Sequence, residues 1–139
     1  MNGIIRTCGF IFCLLAAGFL VADDWPQWRG VERDGVWRET GIVKELPKKL
    51  SFLWRAPVGM GYAGPAVAAG RVYLMDRVLG DGEANPDNPF DKKRVNGSER
   101  ILCFDAGSGK VLWKHSYPSN YTISYPYGPR TTPTVSGGK

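Results

Sequence analysis

The sequence predicts an all-β fold, an incomplete β-propeller with blades of four antiparallel strands. Short runs rich in β-branched and aromatic residues recur after residue 50, and glycine, proline or aspartate bounds each run. Residues 101–104 are apolar without interruption, so both faces of that strand require burial. A propeller blade meets this requirement because it is a sheet packed between two neighbouring sheets.

The chain divides into three predicted parts. Residues 1–22 have the pattern of a signal peptide, in which Arg6 precedes an apolar run too short for a typical membrane span. Residues 23–50 form an irregular leader, because prolines and glycines prevent a long helix there, although one helical turn is expected near residues 40–45. Residues 51–139 form the propeller repeat region, with one complete blade at about 64–117 and a truncated second blade.

Cysteine usage predicts the compartment. Cleavage after Ala22 removes Cys8 and Cys13, and the remaining Cys103 lies in an apolar run, which is typical of a core residue. Export without disulfide bonds fits the bacterial envelope better than a small secreted domain stapled by disulfides, and the expected location is periplasmic or extracellular. No stable membrane span is expected after cleavage, and the alternative is that the signal segment is retained as an anchor.

Charge and length constrain the partners. The 139 residues carry a net charge of +5, and the basic residues are interspersed with acidic ones. Nucleic-acid binding favours a continuous basic stripe with adjacent aromatics, so no nucleic-acid partner is expected. Four blades of about 40 residues require about 160 residues. The expected partners are therefore the remaining blades of a longer chain and, beyond them, an envelope protein.

The strands of the blade can be placed in order by their turns. Strands are expected near 64–68, 71–75, 100–104 and 110–114, with turns at 69–70 and 105–109. A further strand at 51–56 is expected to belong to a neighbouring blade or to close the ring. Two insertions lengthen the repeat: a polar loop at 81–98, closed by a turn at Asn96–Gly97, and a Tyr- and Pro-rich segment at 119–131.

Residues 102–113 carry the most specific pattern, which is an apolar pair, Asp-Ala, small and polar residues, Gly-Lys, two apolar residues and Trp. This pattern resembles the blade signature of pyrroloquinoline-quinone-like (PQQ-like) repeat propellers. Gly107 and Ser108 depart mildly from the residues usual at those two positions. The leader segment 24–30 also resembles exported bacterial members of that family, which would make this chain an N-terminal fragment of such a protein.

The resemblance implies structural roles for four residues. Trp113 would dock against a neighbouring blade. Asp105, Gly109 and Lys110 would shape the turn that caps the hairpin between two strands of the blade. These roles are structural, and the resemblance assigns no catalytic, cofactor-binding or metal-binding residue to this chain.

The segment 119–131 contains the candidate binding surface, formed by Tyr121, Tyr125, Tyr127 and the following Arg130. Tyrosine is rigid and amphipathic, so it suits binding surfaces. The alternative is that the tyrosines pack beneath their own loop. The sequence leaves both possibilities open.

The expected function is that of a noncatalytic envelope scaffold of the PQQ-like repeat type, which presents loops for protein or ligand binding. One alternative is the N-terminal fragment of a PQQ-dependent quinoprotein dehydrogenase acting on alcohols or sugars. In that class the resemblance implies PQQ with calcium, held by residues of many blades, so no cofactor is expected in this fragment. A second alternative is the extracytoplasmic sensor domain of a larger receptor. Fold by itself does not decide between them.

Overall fold

The computed structural model describes residues 23–139, and the predicted signal peptide lies outside them. Every regular element in this range is a strand, so the all-β prediction is confirmed and the helical turn expected near residues 40–45 is absent. Within the described part of the chain, no apolar helix of membrane-spanning length occurs. The strands are β1 (Ala66–Ala68), β2 (Arg71–Leu79), β3 (Lys93–Val95), β4 (Gly97–Asp105), β5 (Val111–Pro118) and β6 (Tyr121–Ile123).

The main sheet has four strands in the order β1-β2-β4-β5, and each neighbouring pair is antiparallel. Consecutive strands of the sheet follow one another along the chain, except that β3 lies in the connection between β2 and β4. This up-and-down sheet is open, and it has the strand number and connectivity of a propeller blade. It lies almost entirely within the range 64–117 predicted for one blade.

The two inner strands are longer than predicted. β2 and β4 pair along their whole length, from Arg71↔Asp105 to Leu79↔Gly97. The expected turn at Asn96–Gly97 is therefore wrong, because Gly97 is the first residue of β4. A Cβ at this position would lie 2.5 Å from the Val78 carbonyl oxygen, so the close approach of the two strands requires glycine.

The two predicted insertions pair with each other. β3 lies in the polar loop and β6 in the Tyr- and Pro-rich segment, and they form a two-stranded antiparallel sheet. Val95 of β3 is fully buried in this arrangement and lies opposite Tyr121. The segments were expected to be separate irregular loops, since a three-residue strand is defined by its distant partner rather than by its own sequence pattern.

The leader is fastened to the turn between β1 and β2. Trp25 and Val67 exchange backbone hydrogen bonds of 2.8 and 2.9 Å. The turn places Ala69 at φ 50° and Gly70 at φ 70°, as a tight hairpin turn with two left-handed residues requires. The Asp24 carboxylate accepts the Ala69 N–H at 3.0 Å, and this contact holds the alanine in a conformation that it rarely adopts.

The strand expected at residues 51–56 is absent. Trp54 instead stacks on Phe104 with ring centroids 6.2 Å apart, and its indole N–H donates to the Ala106 carbonyl at 2.8 Å. Phe52 and Leu53 are exposed. A strand requires a partner for its backbone groups, and within residues 23–139 this segment has none, so its apolar composition alone does not produce one.

The core lies on the inner strands. Leu102, Cys103 and Phe104 are consecutive and all buried, which confirms that this part of β4 is covered on both faces. Burial raises the pKa of the Cys103 thiol, as expected for an inert core cysteine. The hydrophobic centre of the sheet therefore lies midway between its two outer strands.

Candidate functional site

The hairpin turn between β4 and β5 is held by its own backbone and by one carboxylate. The Asp105 N–H donates to the Lys110 carbonyl at 2.9 Å, and the Gly109 N–H donates to the Asp105 carbonyl at 2.8 Å. The Asp105 carboxylate accepts the Ser108 hydroxyl at 2.6 Å and its N–H at 2.8 Å, and these bonds lower the pKa of Asp105. The three residues that the resemblance placed in the turn thus lie there.

Gly109 is constrained twice. Its φ is 70°, a value that favours glycine, and a Cβ added to it would lie 2.5 Å from the indole ring of Trp54. The turn therefore joins the β4–β5 hairpin to residues 51–56 through a contact that only glycine permits. Ser108, by contrast, is exposed, and its hydroxyl donates to the Asp105 carboxylate.

β5 is an outer strand whose other edge has no partner in the described chain. Its first three residues, Val111, Leu112 and Trp113, are apolar, and each remains 46 to 47% exposed. Trp113 lies opposite Cys103, and its ring is tilted against that of Tyr73 with centroids 6.0 Å apart. Docking of Trp113 against a further blade stays a prediction, and the side chain is accessible for it.

The four residues expected to form a binding surface separate into an inner and an outer pair. Tyr127 is only 2% exposed and donates its hydroxyl to the Lys93 carbonyl at 2.8 Å. Tyr121 stacks on Tyr127 with centroids 5.7 Å apart. Of the two possibilities that the sequence leaves open, these two tyrosines therefore follow the second, since they pack beneath their loop against β3 and β6.

A buried arginine explains why these tyrosines face inward. Arg77 is 1% exposed, and its guanidinium lies 4.3 Å from the ring centroid of Tyr121. It donates to the carbonyl oxygens of Val95 and Ser119 at 2.9 and 3.2 Å. A buried charge needs such partners. Both hydrogen bonds use Nη2 and the Tyr121 ring covers the guanidinium, whereas Nε and Nη1 are buried without a hydrogen-bond partner in the described chain.

Glu99 completes this cluster on the adjacent strand. It lies opposite Arg77 in the register and accepts the hydroxyls of Tyr117 and Tyr121. Burial, together with the hydrogen bond to Glu99, raises the pKa of Tyr121 well above its usual value. Tyr121 therefore remains a neutral donor over the whole physiological range, in a structural role.

The outer pair lies at the surface. The Arg130 guanidinium contacts the rings of both Tyr62 and Tyr125, 4.8 and 4.7 Å from their centroids. It also donates to the carbonyl oxygens of Pro126 and Gly128 at 2.8 and 3.2 Å. Arg130 is exposed and held in place, and these contacts leave part of its hydrogen-bonding capacity for a ligand.

Arg130 also faces a group that the sequence did not single out. A cleft of about 580 Å³ is lined by Trp28, Arg29 and Arg33 of the leader together with Arg130 and neighbouring threonines. We call it the arginine cleft. Sequence analysis missed it because its residues are distant along the chain, and only the docking of the leader brings them together.

The described chain offers no ready set of metal ligands. Among residues 23–139, no three histidine, cysteine, aspartate or glutamate side chains converge in a group that could hold an ion.

The chain matches no protein-family model, no curated protein and no solved structure. The resemblance of residues 102–113 to a PQQ-like blade accordingly stays a prediction from the sequence.

Proposed function

We propose that this chain is a noncatalytic scaffold module of a PQQ-like repeat propeller, exported to the cell envelope, whose blade packs on further blades and whose loops bind a ligand or a partner. The four-stranded antiparallel sheet supports the blade assignment, because its strand number and up-and-down strand order are those of a blade. The turn at residues 105–110 supports it as well, since its geometry suits the residues of the signature.

The observation that carries the proposal is the exposed apolar start of β5. Val111, Leu112 and Trp113 lie on an outer strand with unpaired backbone groups beside them. An edge of this kind is a template for pairing and packing with another sheet. Burial of a large apolar side chain contributes about 1.5–3 kcal/mol, so contact with a further blade would recover much of what this edge leaves in water.

Size-exclusion chromatography with light scattering tests the packing of β5. We expect the chain to self-associate, because a second sheet is the nearest substitute for a missing blade. The double variant Leu112→Lys, Trp113→Lys should shift the chain towards monomer. Phe90→Lys is the matched control, since Phe90 is 66% exposed but lies outside the main sheet.

A monomeric wild-type chain with one cooperative thermal transition would contradict the proposal, because the sheet would then be a complete domain. An equal effect of Phe90→Lys and the β5 variant would also contradict it. Titration with PQQ and calcium tests the dehydrogenase alternative separately, and we expect no saturable binding by this chain.

Export is tested at the N-terminus. We expect protein from the envelope fraction to begin at Asp23, since the apolar run ends at Ala22. N-terminal sequencing or intact mass measures this directly. Retention of residues 1–22 would favour an anchored protein instead.

A further inference from the structure

The arginine cleft combines three positive side chains with an aromatic wall. Arg29, Arg33 and Arg130 line it, and no carboxylate does. Its volume of about 580 Å³ lies within the range of about 300–1,000 Å³ found for small-molecule sites. Three guanidinium groups at one cleft favour an anionic ligand, because arginine binds planar or tetrahedral oxyanions through paired N–H donors.

None of the three arginines is engaged in an ion pair within residues 23–139, although Arg29 donates to the Asp34 carbonyl at 3.2 Å and lies 5.6 Å from the Trp28 ring centroid. The two ion pairs among residues 23–139 join Arg38 to Asp34 and Arg100 to Asp76, so neither uses an arginine of the cleft. Arg33 donates its Nε–H to the Gln27 side-chain oxygen at 2.9 Å, which orients the guanidinium. Its remaining donors have no protein partner in the described chain.

The leader backbone holds two of these arginines in an uncommon conformation. Arg29 and Arg33 have φ values of 67° and 58°, in the left-handed region that non-glycine residues rarely adopt. The Gly35 N–H donates to the Arg29 carbonyl at 2.9 Å, and the Arg33 N–H donates to the Gly30 carbonyl at 3.2 Å. The loop is thus closed on itself, and both arginines are oriented before a ligand arrives.

A second cleft adjoins the first and differs in chemistry. It also measures about 580 Å³, shares Trp28 and Thr132 with the arginine cleft, and is lined in addition by Trp25 and Trp37. We call it the tryptophan cleft. Trp28 and Trp37 are 69% and 57% exposed, which is unusual for side chains of this size. Asp23 and Glu39 supply carboxylates at this end.

We propose that the two clefts form one binding site for an acidic oligosaccharide. The C–H faces of a sugar ring are apolar and stack on indole rings, whereas its hydroxyls donate to carboxylates such as Asp23 and Glu39. A sulfate or carboxylate substituent on the next ring would then lie among Arg29, Arg33 and Arg130. This proposal deepens the loop-binding part of the proposed function and rests on it.

The carboxylates distinguish this ligand from a nucleic acid. A nucleic acid carries a phosphate at every nucleotide and therefore requires positive charge along its whole path. Here the positive end is followed by a tryptophan end that bears Asp23 and Glu39, which would repel a second phosphate. A sugar chain that carries its charge on some rings only fits both ends.

Calorimetric titration of the full chain tests the proposal with four tetrameric probes. These are a sulfated galactan tetrasaccharide, the same tetrasaccharide without sulfate, tetragalacturonate and tetrauridylate RNA. We expect the sulfated or the uronate probe, or both, to bind at least tenfold more tightly than the neutral sugar. Comparison of the affinities of the sulfated probe and the uronate probe then identifies whether the site prefers sulfate or carboxylate. Equal binding of the neutral sugar, tighter binding of the RNA or no binding of either acidic sugar would overturn the proposal.

Variants separate a built site from general attraction to a basic protein. Arg33→Gln should weaken binding of the acidic probe at least tenfold. Arg94→Gln removes the same charge from an exposed position in β3, outside both clefts, and should change it less than twofold. Equal losses in the two variants would overturn the proposal.

Trp28→Ala tests the shared wall. We expect it to weaken the acidic tetrasaccharide about tenfold while leaving the thermal transition unchanged, because Trp28 is largely exposed. Unchanged affinity would contradict the proposal that the two clefts form one binding site. The self-association measured with the Leu112 and Trp113 variants is independent of these titrations, so failure of the sugar site and failure of the blade assignment can be distinguished.

Discussion

The inner strands and the outer strand β5 differ in how completely their side chains are partnered. On β2, the buried Asp76 pairs with Arg100, the buried Arg77 donates to the Val95 carbonyl, and Cys103 of β4 is fully buried. On β5, Leu112 and Trp113 remain 47% and 46% exposed. The comparison shows that the inner strands bury most of their side chains within the described chain, whereas the apolar start of β5 stays half exposed and its outer edge has no strand partner there.

The most sensitive element of the complete region is the ion pair between Asp76 and Arg100. Arg100 Nε and Nη2 donate to the two carboxylate oxygens at 2.8 and 2.5 Å, and the Gly59 N–H donates to Oδ2 at 2.5 Å. Burial would raise the pKa of Asp76, but these three hydrogen bonds outweigh it and hold the pKa below its usual value. Asp76 therefore joins β2, β4 and the segment around residue 59.

The largest expected effect is that of Asp76→Asn. Removal of one partner of a buried pair leaves Arg100 without its counter-charge, and we expect a loss of about 3 kcal/mol of unfolding free energy. Urea unfolding at a fixed low protein concentration, followed by tryptophan fluorescence, measures it. Asp34→Asn is the matched control, because Asp34 pairs with Arg38 at the exposed surface. Its substitution should cause no measurable change in the unfolding free energy. A comparable loss in both variants would refute the contrast.

The same pair predicts an acid dependence. Because the folded pKa of Asp76 lies below the unfolded value of 3.8, its contribution is complete above that pH and is lost as the pH falls through the folded pKa. Wild-type stability should therefore decline more steeply below pH 4 than that of Asp76→Asn. Parallel acid titrations of the two proteins, followed by circular dichroism, would show the difference, and identical curves would contradict it.

A smaller effect is expected at the turn where the inner and outer regions meet. Gly109→Ala adds a Cβ that lies 2.5 Å from the Trp54 ring at a positive φ, and we expect a loss of about 2 kcal/mol. Gly107→Ala is the control, since its Cβ would make only an ordinary contact of 3.6 Å with Asp105. Urea unfolding of both variants measures the difference, and equal stability would place the Trp54 contact in doubt.

The smallest effect separates the inner from the outer tyrosines. Tyr127→Phe removes the hydroxyl that donates to the Lys93 carbonyl, and we expect a loss of about 1 kcal/mol. Tyr125→Phe should leave stability unchanged, because Tyr125 is 47% exposed. Thermal unfolding of the two variants provides the measurement, and a larger change in Tyr125→Phe would reverse the assignment.

The sequence predicted the parts of the fold that local chemistry determines. The Ala69–Gly70 pair and the run from Asp105 to Gly109 located two turns, because few residues adopt positive φ readily. The apolar run around Cys103 located the buried strand. The lengths of β2 and β4 were not predictable from the sequence. Both strands continue through polar residues such as Asp76 and Arg77, and only their partners in the folded chain make it possible to bury them.

The candidate site was less accessible to prediction. Tyr121, Tyr125 and Tyr127 have the same local pattern, and the buried Arg77 decides which of them face inward. Arg33 and Arg130 are far apart along the chain, and they line one cleft because the leader contacts the segment after Arg130, where the Val135 N–H donates to the Pro26 carbonyl at 2.8 Å. Patterns within a short window carry no information on such convergence.

The attachment of the leader has a consequence for the order in which the molecule acquires its structure. The strands of the main sheet form by successive antiparallel pairings, whereas the bond from Ala69 to Asp24 closes a separation of 45 residues and that from Trp54 to Ala106 one of 52. Closure of longer loops costs more chain entropy and slows the contacts that depend on it. The β2–β4–β5 sheet should therefore be protected from amide exchange first during refolding, and the leader, with its arginines and tryptophans, should be the last part of the chain to become ordered.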